Sequence, residues 1–157
     1  HGADRALVYG SDLADAKAQR DLKTRLQSAC GEAGADVVFD PVGGDYSQAA
    51  LRTLAWRGRY LVVGFAAGIQ SIPMNLALLR EASILGVYWG EAIRRDRDTH
   101  RARLRDLFTL YEGGKARPAI SAKFDLNEAP AAIEELLTRR VFGKIVVTVP
   151  QAQGPEG

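Results

Sequence analysis

The chain has 157 residues, 46% of them hydrophobic and 25% charged, with a formal net charge of +2. Those values suit an ordinary globular core and are too balanced to argue for a nucleic-acid or anionic-membrane partner. No apolar run approaches the ~20 residues of a membrane-spanning helix, and a lone cysteine, Cys30, allows neither an intramolecular disulfide nor a cysteine-cluster zinc site. A soluble protein of the reducing cytoplasm is the expectation.

In chain order, residues 5–9 read as a first strand ending in Tyr9. Ser11 and Asp12 offer caps for a helix over about residues 15–29, whose apolar stripe is Leu22, Leu26 and Ala29 and which Gly31 and Gly34 end. The run Ala35-Asp36-Val37-Val38-Phe39-Asp40-Pro41-Val42-Gly43-Gly44 is a β-branched strand that breaks into glycine, as a buried parallel strand does where it delivers backbone to a ligand. A helix then starts near Asp45, turns Tyr46, Ala49, Ala50 and Leu54 inward and stops at Gly58. Arg59-Tyr60-Leu61-Val62-Val63-Gly64-Phe65 is a second strand of the same design.

Beyond it, a loop around Pro73 leads to a short helix through Leu76, Leu78 and Leu79, and a strand over residues 83–89 ends at Gly90. Leu104, Leu107, Phe108 and Tyr111 give helical spacing to residues 98–112, which Gly113-Gly114 stop. A strand over 119–124, a helix over 127–139 with Ile133, Leu136 and Leu137 inward, and a strand over 144–149 complete the chain. Pro130 is tolerated because it falls in that helix's first turn. Residues 151–157 have no apolar anchor and are expected to form a flexible tail.

The alternation of strands and helices to Trp89 predicts an α/β fold, a partial Rossmann-type doubly wound parallel sheet, followed by an α+β segment. No G-x-G-x-x-G follows any strand. By spacing alone, Gly43 and Gly64 suit plain turn chemistry as well as they suit backbone approach to a dinucleotide. Asp40 reads as a strand-end cap or turn residue. The arginine run from Arg94 to Arg105 is diluted by Asp96, Asp98 and Asp106, the pattern of a solvated helix start rather than a nucleic-acid surface. Arg139 and Arg140 suit a phosphate or simply a helix C-terminus. Neither His1 nor His100 has the company of a base or metal ligand, so no catalytic or metal residue is named. That silence fits hydride transfer, where the cofactor carries the chemistry and the protein holds the reacting carbons about 3–3.5 Å apart.

Four blocks carry a resemblance: Gly34-x-Asp36 through Gly44, Gly58-Arg59 through Gly68, Gly86-Val87-Tyr88-Trp89-Gly90, and Gly143-Lys144-Ile145-Val146-Val147. Together the chain resembles the NADPH:quinone oxidoreductase branch of the medium-chain dehydrogenase/reductase superfamily, the zinc-type alcohol dehydrogenase-like proteins. The resemblance implies that residues 1–90 are the later part of an NAD(P)-binding Rossmann domain lacking its glycine-rich turn, and that 91–150 are the C-terminal segment of the catalytic domain. It implies NADPH as cofactor, with Tyr9 near the adenosine ribose or its 2′-phosphate. Val42, Gly43, Gly64 and Phe65 would lie along the nicotinamide half, and Tyr88 and Trp89 near the carboxamide. The implied reaction is hydride transfer to a quinone or another α,β-unsaturated carbonyl.

An enoyl-thioester reductase of the same superfamily is the near alternative, and a non-catalytic dinucleotide-fold scaffold the distant one. A methyltransferase lacks an acidic ribose-binding residue in the expected place. The resemblance also implies a homodimer joined edge to edge through strand 84–88, with no nucleic-acid or membrane partner. The chain by itself is expected to be inactive and to bind NADPH poorly. In the 3-2-1-4-5-6 strand order, residues 5–9 are third and lack the strands that separate them from Val37-Val38-Phe39, so they must shift, pair elsewhere or stand detached.

Overall fold

The computed structural model describes residues 2–10, 13, 15–138 and 141–150. The readings placed on His1, Ser11, Asp12, Arg139, Arg140 and the 151–157 tail lie outside the described residues. The chain divides into two compact units, His1–Ala92 and Ile93–Gly157.

In the first unit, helix α1 (Ala16–Cys30) begins where Asp15 Oδ1 accepts from the backbone N–H of Lys17 at 2.6 Å and of Ala18 at 2.7 Å. Those bonds satisfy two of the amides that a helix start leaves without partners. Three strands follow, β1 (Ala35–Asp40), β2 (Leu54–Val62) and β3 (Ser83–Gly86), in the order β1-β2-β3 and all parallel. Parallel neighbours need crossovers, and α2 (Tyr46–Leu51) and α3 (Asn75–Leu78) lie within them.

Alternation along the strands decides what is buried. Val38, Tyr60 and Ile84 share one register row and face a core of Leu51, Leu54 and Leu76. Leu51 and Leu54 are fully buried, each stabilising the fold by roughly 1.5–3 kcal/mol. A second cluster, Leu13, Leu22 and Ala49, ties α1 to α2. On the opposite sheet face Val37, Leu85 and Phe39, the last 64% exposed, stand uncovered. The parallel α/β architecture is as expected.

Three element boundaries differ from expectation. Residues 5–9 form no strand: an isolated strand has no ladder to join. Instead Arg5 Nη1 donates to Ser28 O at 3.0 Å, and the Tyr9 ring packs on Tyr46 with centroids 5.4 Å apart. Helix α2 stops at Leu51 because the Ala50 carbonyl takes both the N–H and the hydroxyl of Thr53, at 3.0 and 2.7 Å. Leu54 and Gly58 therefore belong to β2. Strand β3 ends at Gly86, and Trp89 opens a further helix, α4 (Trp89–Arg95).

The second unit holds α5 (Arg97–Glu112), capped by Asp96 Oδ1 accepting from Thr99 N at 3.0 Å. Strands β4 (Ile120–Asp125) and β5 (Lys144–Thr148) pair in parallel across a 3₁₀ turn (Leu126–Glu128) and α6 (Ala129–Leu137). The predicted inward stripes form on these helices yet remain uncovered: Phe108 is 62% and Leu137 76% exposed, and Leu104, Leu107, Tyr111, Ile133 and Leu136 are exposed as well. Helical period is local, whereas cover requires a partner surface. Among the described residues no helix is long and apolar enough to cross a membrane.

Candidate cofactor site at the strand ends

The parallel register sets Asp40, Val62 and Gly86 in one row across the sheet. The segments that follow, carrying Val42-Gly43, Gly64-Phe65 and Tyr88-Trp89, therefore leave the sheet at the same end. Crevices at the carboxyl ends of parallel strands are where open α/β sheets bind ligands.

Asp40 organises this end. Its Oδ1 accepts from the backbone N–H of Val42 and of Gly43, each at 2.9 Å, while Oδ2 accepts from Ser47 Oγ at 2.7 Å and from the Tyr60 hydroxyl. Asp40 is a turn residue, as its position suggested. Burial raises its pKa, but the donors Tyr60, Gly43, Ser47 and Val42 outweigh that and hold the carboxyl below its ordinary 3.8. The Tyr60 phenol is pushed up from 10.0, first by burial and then by its bond to the carboxylate. At neutral pH the pair is therefore carboxylate and neutral phenol.

The signs of these two shifts predict a two-sided stability profile. Asp40 contributes fully above 3.8, and that contribution is lost as pH falls below it; Tyr60 contributes fully below 10.0, and that is lost as pH rises past it. Urea midpoints should thus decline at both extremes, and Tyr60→Phe should remove the Tyr60 part of the alkaline decline. An alkaline decline as steep in the variant as in the parent would contradict the assignment.

The glycines at these strand ends have a packing role. Gly43 is buried with φ +72°, and a Cβ there would stand 2.6 Å from Gly68 O and 2.9 Å from Phe65 Cα. At Gly64 a Cβ would stand 2.7 Å from Pro41 O. At both positions the absence of a side chain lets the two strand-end loops pack on each other. The loops are stitched by Ala67 N to Val42 O at 2.7 Å and Gly44 N to Gly68 O at 2.8 Å. Gln70 Nε2 adds a bond to Gly64 O at 3.1 Å.

Of the seven residues expected at a cofactor, Phe65, Tyr88 and Trp89 are exposed and Val42 is half-buried. Tyr9, despite lacking its strand, lines a cavity of about 270 Å³ together with Val42, Asp40, Pro41 and Tyr46. A larger hollow of about 580 Å³ between α1 and α2 is lined by none of the seven. Sequence reasoning missed Ser47 and Tyr60; the available signal was a phenol on the inward row of an apolar strand, which must find a hydrogen-bond partner.

A model of the zinc-binding dehydrogenase family matches residues 1–147. The chain belongs to this family. It is similar to quinone oxidoreductase-like protein 2 of Bos taurus, 34% identical over 145 residues that make up 92% of this chain and 42% of the relative. Among solved structures it is similar to a "probable oxidoreductase from Mycobacterium abscessus", at 33% identity and TM-score 0.67 over 80% of this chain and 36% of that one. It also shares its fold with a mycobacterial protein complexed with NADPH, at 23% identity and TM-score 0.75 over 93% of this chain and 43% of that one. The chain spans less than half the length of curated relatives it matches. Among the described residues no group of three His, Cys, Asp or Glu is placed to hold a metal ion.

Proposed function

We propose that these strand ends form the nicotinamide-facing part of an NADPH site in an oxidoreductase that reduces a quinone or another α,β-unsaturated carbonyl. The observation that carries this reading is the row Asp40, Val62, Gly86, which sends Val42-Gly43, Gly64-Phe65 and Tyr88-Trp89 out of one sheet end in a member of a dehydrogenase family. The chemistry supplied by the bound cofactor is hydride donation from C4 of its nicotinamide ring. The chain's own part is to orient: Val42 and the exposed Phe65 would hold the nicotinamide half, Tyr9 and Tyr46, which line the cavity beside Val42, would face the ribose end, and backbone near Tyr88 would meet the carboxamide. For this step the chain's part is orientation of donor and acceptor, and the anion that hydride transfer leaves takes its proton from solvent.

The reading includes a cytoplasmic setting, where the exposed Cys30 thiol stays reduced. It also includes a homodimer. Strand β3 is one of the two edges of the described sheet, and Leu85 in it and Val87 and Tyr88 just after it are exposed. An open apolar edge of this kind is satisfied by its own symmetry mate.

Two measurements test the reading. By calorimetry, this chain alone should bind NADPH more weakly than micromolar, since no G-x-G-x-x-G turn follows a strand in its sequence to supply pyrophosphate donors; micromolar affinity would contradict that. The native polypeptide carrying these residues should oxidise NADPH with 1,4-benzoquinone faster than with a crotonyl thioester. The reverse order would instead favour the enoyl-thioester reductase, and RNA binding without NADPH oxidation the scaffold.

A further inference from the structure

We propose that Asp40 is the positioning residue of the cofactor site: its carboxylate, anchored by Ser47 and Tyr60, holds the 41–44 turn and through it the 63–68 loop in the arrangement that receives the nicotinamide half of NADPH. This rests on the reading of the strand ends as an NADPH site.

A carboxylate 7% exposed is costly unless its oxygens are bonded. Here the two oxygens have different duties. Oδ1 takes the amides of Val42 and Gly43, so it shapes the turn; Oδ2 takes the hydroxyls of Ser47 from α2 and Tyr60 from β2, so it anchors that turn to the core. Ser47 and Tyr60 are themselves fully buried. One side chain thereby braces a loop against a helix and a neighbouring strand.

The same bonds settle what Asp40 does not do. A carboxylate offers about four acceptor positions, and four donors of the chain occupy them, leaving none for a substrate proton. The Val42 and Gly43 amides are likewise engaged. Asp40 therefore acts through the turn. Once the turn is seated, Val42 O receives Ala67 N at 2.7 Å, and Gly43 lies where any side chain would meet Phe65 Cα. The backbone carbonyl of Asp40 adds bonds from Val63 N at 2.9 Å and Gly64 N at 3.2 Å. Both loops thus depend on one residue, and a preorganised pair of loops binds more tightly than one that must order on binding.

The test uses the native polypeptide and compares two ligands, NADPH and 2′,5′-ADP, which keeps the adenosine end and lacks the nicotinamide. Asp40→Ala should weaken NADPH binding about tenfold or more, leaving 2′,5′-ADP within about twofold, because two turn amides lose their acceptor. Asp40→Asn retains a carbonyl oxygen for those amides and should lose only about threefold, a partial rescue. Tyr60→Phe leaves both turn bonds in place and should behave like Asp40→Asn, so it and Asp40→Asn carry the test should Asp40→Ala not fold. Unchanged NADPH affinity in folded variants overturns the proposal alone, as does an equal loss for both ligands, the mark of a purely structural brace. A parent protein that binds no NADPH overturns the site reading and the proposal with it.

Discussion

Gly43→Ala is expected to destabilise the first unit by roughly 2–3 kcal/mol and to abolish high-affinity NADPH binding by the native polypeptide. The backbone at Gly43 sits at φ +72°, where a side chain costs roughly 1–2 kcal/mol. The added Cβ, 2.6 Å from Gly68 O, must then push the loops apart, and the bond from Gly44 N to Gly68 O at 2.8 Å goes with it, worth about 1 kcal/mol. Gly86→Ala is the control. Its Cβ meets nothing within 4 Å, so it should change stability by no more than about 0.5 kcal/mol. Urea midpoints of the two variants check this, and a Gly43→Ala protein as stable as Gly86→Ala would show that the loop contact is not close.

The other large effect concerns assembly. Proline at the edge of a dimer-forming strand removes a donor and blocks pairing, and from sequence Val87 is the natural choice. The fold moves it. Val87 N donates inward to Val62 O at 2.9 Å, so Val87→Pro would damage the sheet itself. Because amides alternate along a strand, that of Gly86 points to the open side. Gly86→Pro should therefore leave a folded protein whose mass by light scattering is half that of the parent dimer. A monomeric parent, or a folded Gly86→Pro dimer, would rule out this edge as the interface.

The features legible in the sequence are those set within a few residues. The 15–29 helix, the Val37-Val38-Phe39 strand, its glycine break and the parallel crossovers follow from periodicity and turn chemistry, and their positions hold to within a residue or two. What was misread depends on partners distant in the chain. Residues 5–9 have strand-like composition but form no strand ladder, and the Leu107-Phe108 stripe has helical spacing but is exposed. At the site, Asp40 was legible as a turn residue from the Pro41 and glycines after it. Its second pair of donors was not, because Ser47 and Tyr60 reach it only once α2 and β2 are folded across the sheet. The glycines illustrate the same limit: their positions mark the strand ends, while the reason for them, a loop packed 20 or so residues along the chain, is tertiary.

Hydrogen exchange of the native polypeptide with and without NADPH tests most directly whether the strand ends hold the cofactor. The account predicts that NADPH slows amide exchange over residues 41–44 and 63–66, through suppressed opening of the two loops, and leaves the arginine-rich start of α5 unchanged. Exchange unaltered at both strand-end loops, or protection confined to residues 94–105, would contradict it.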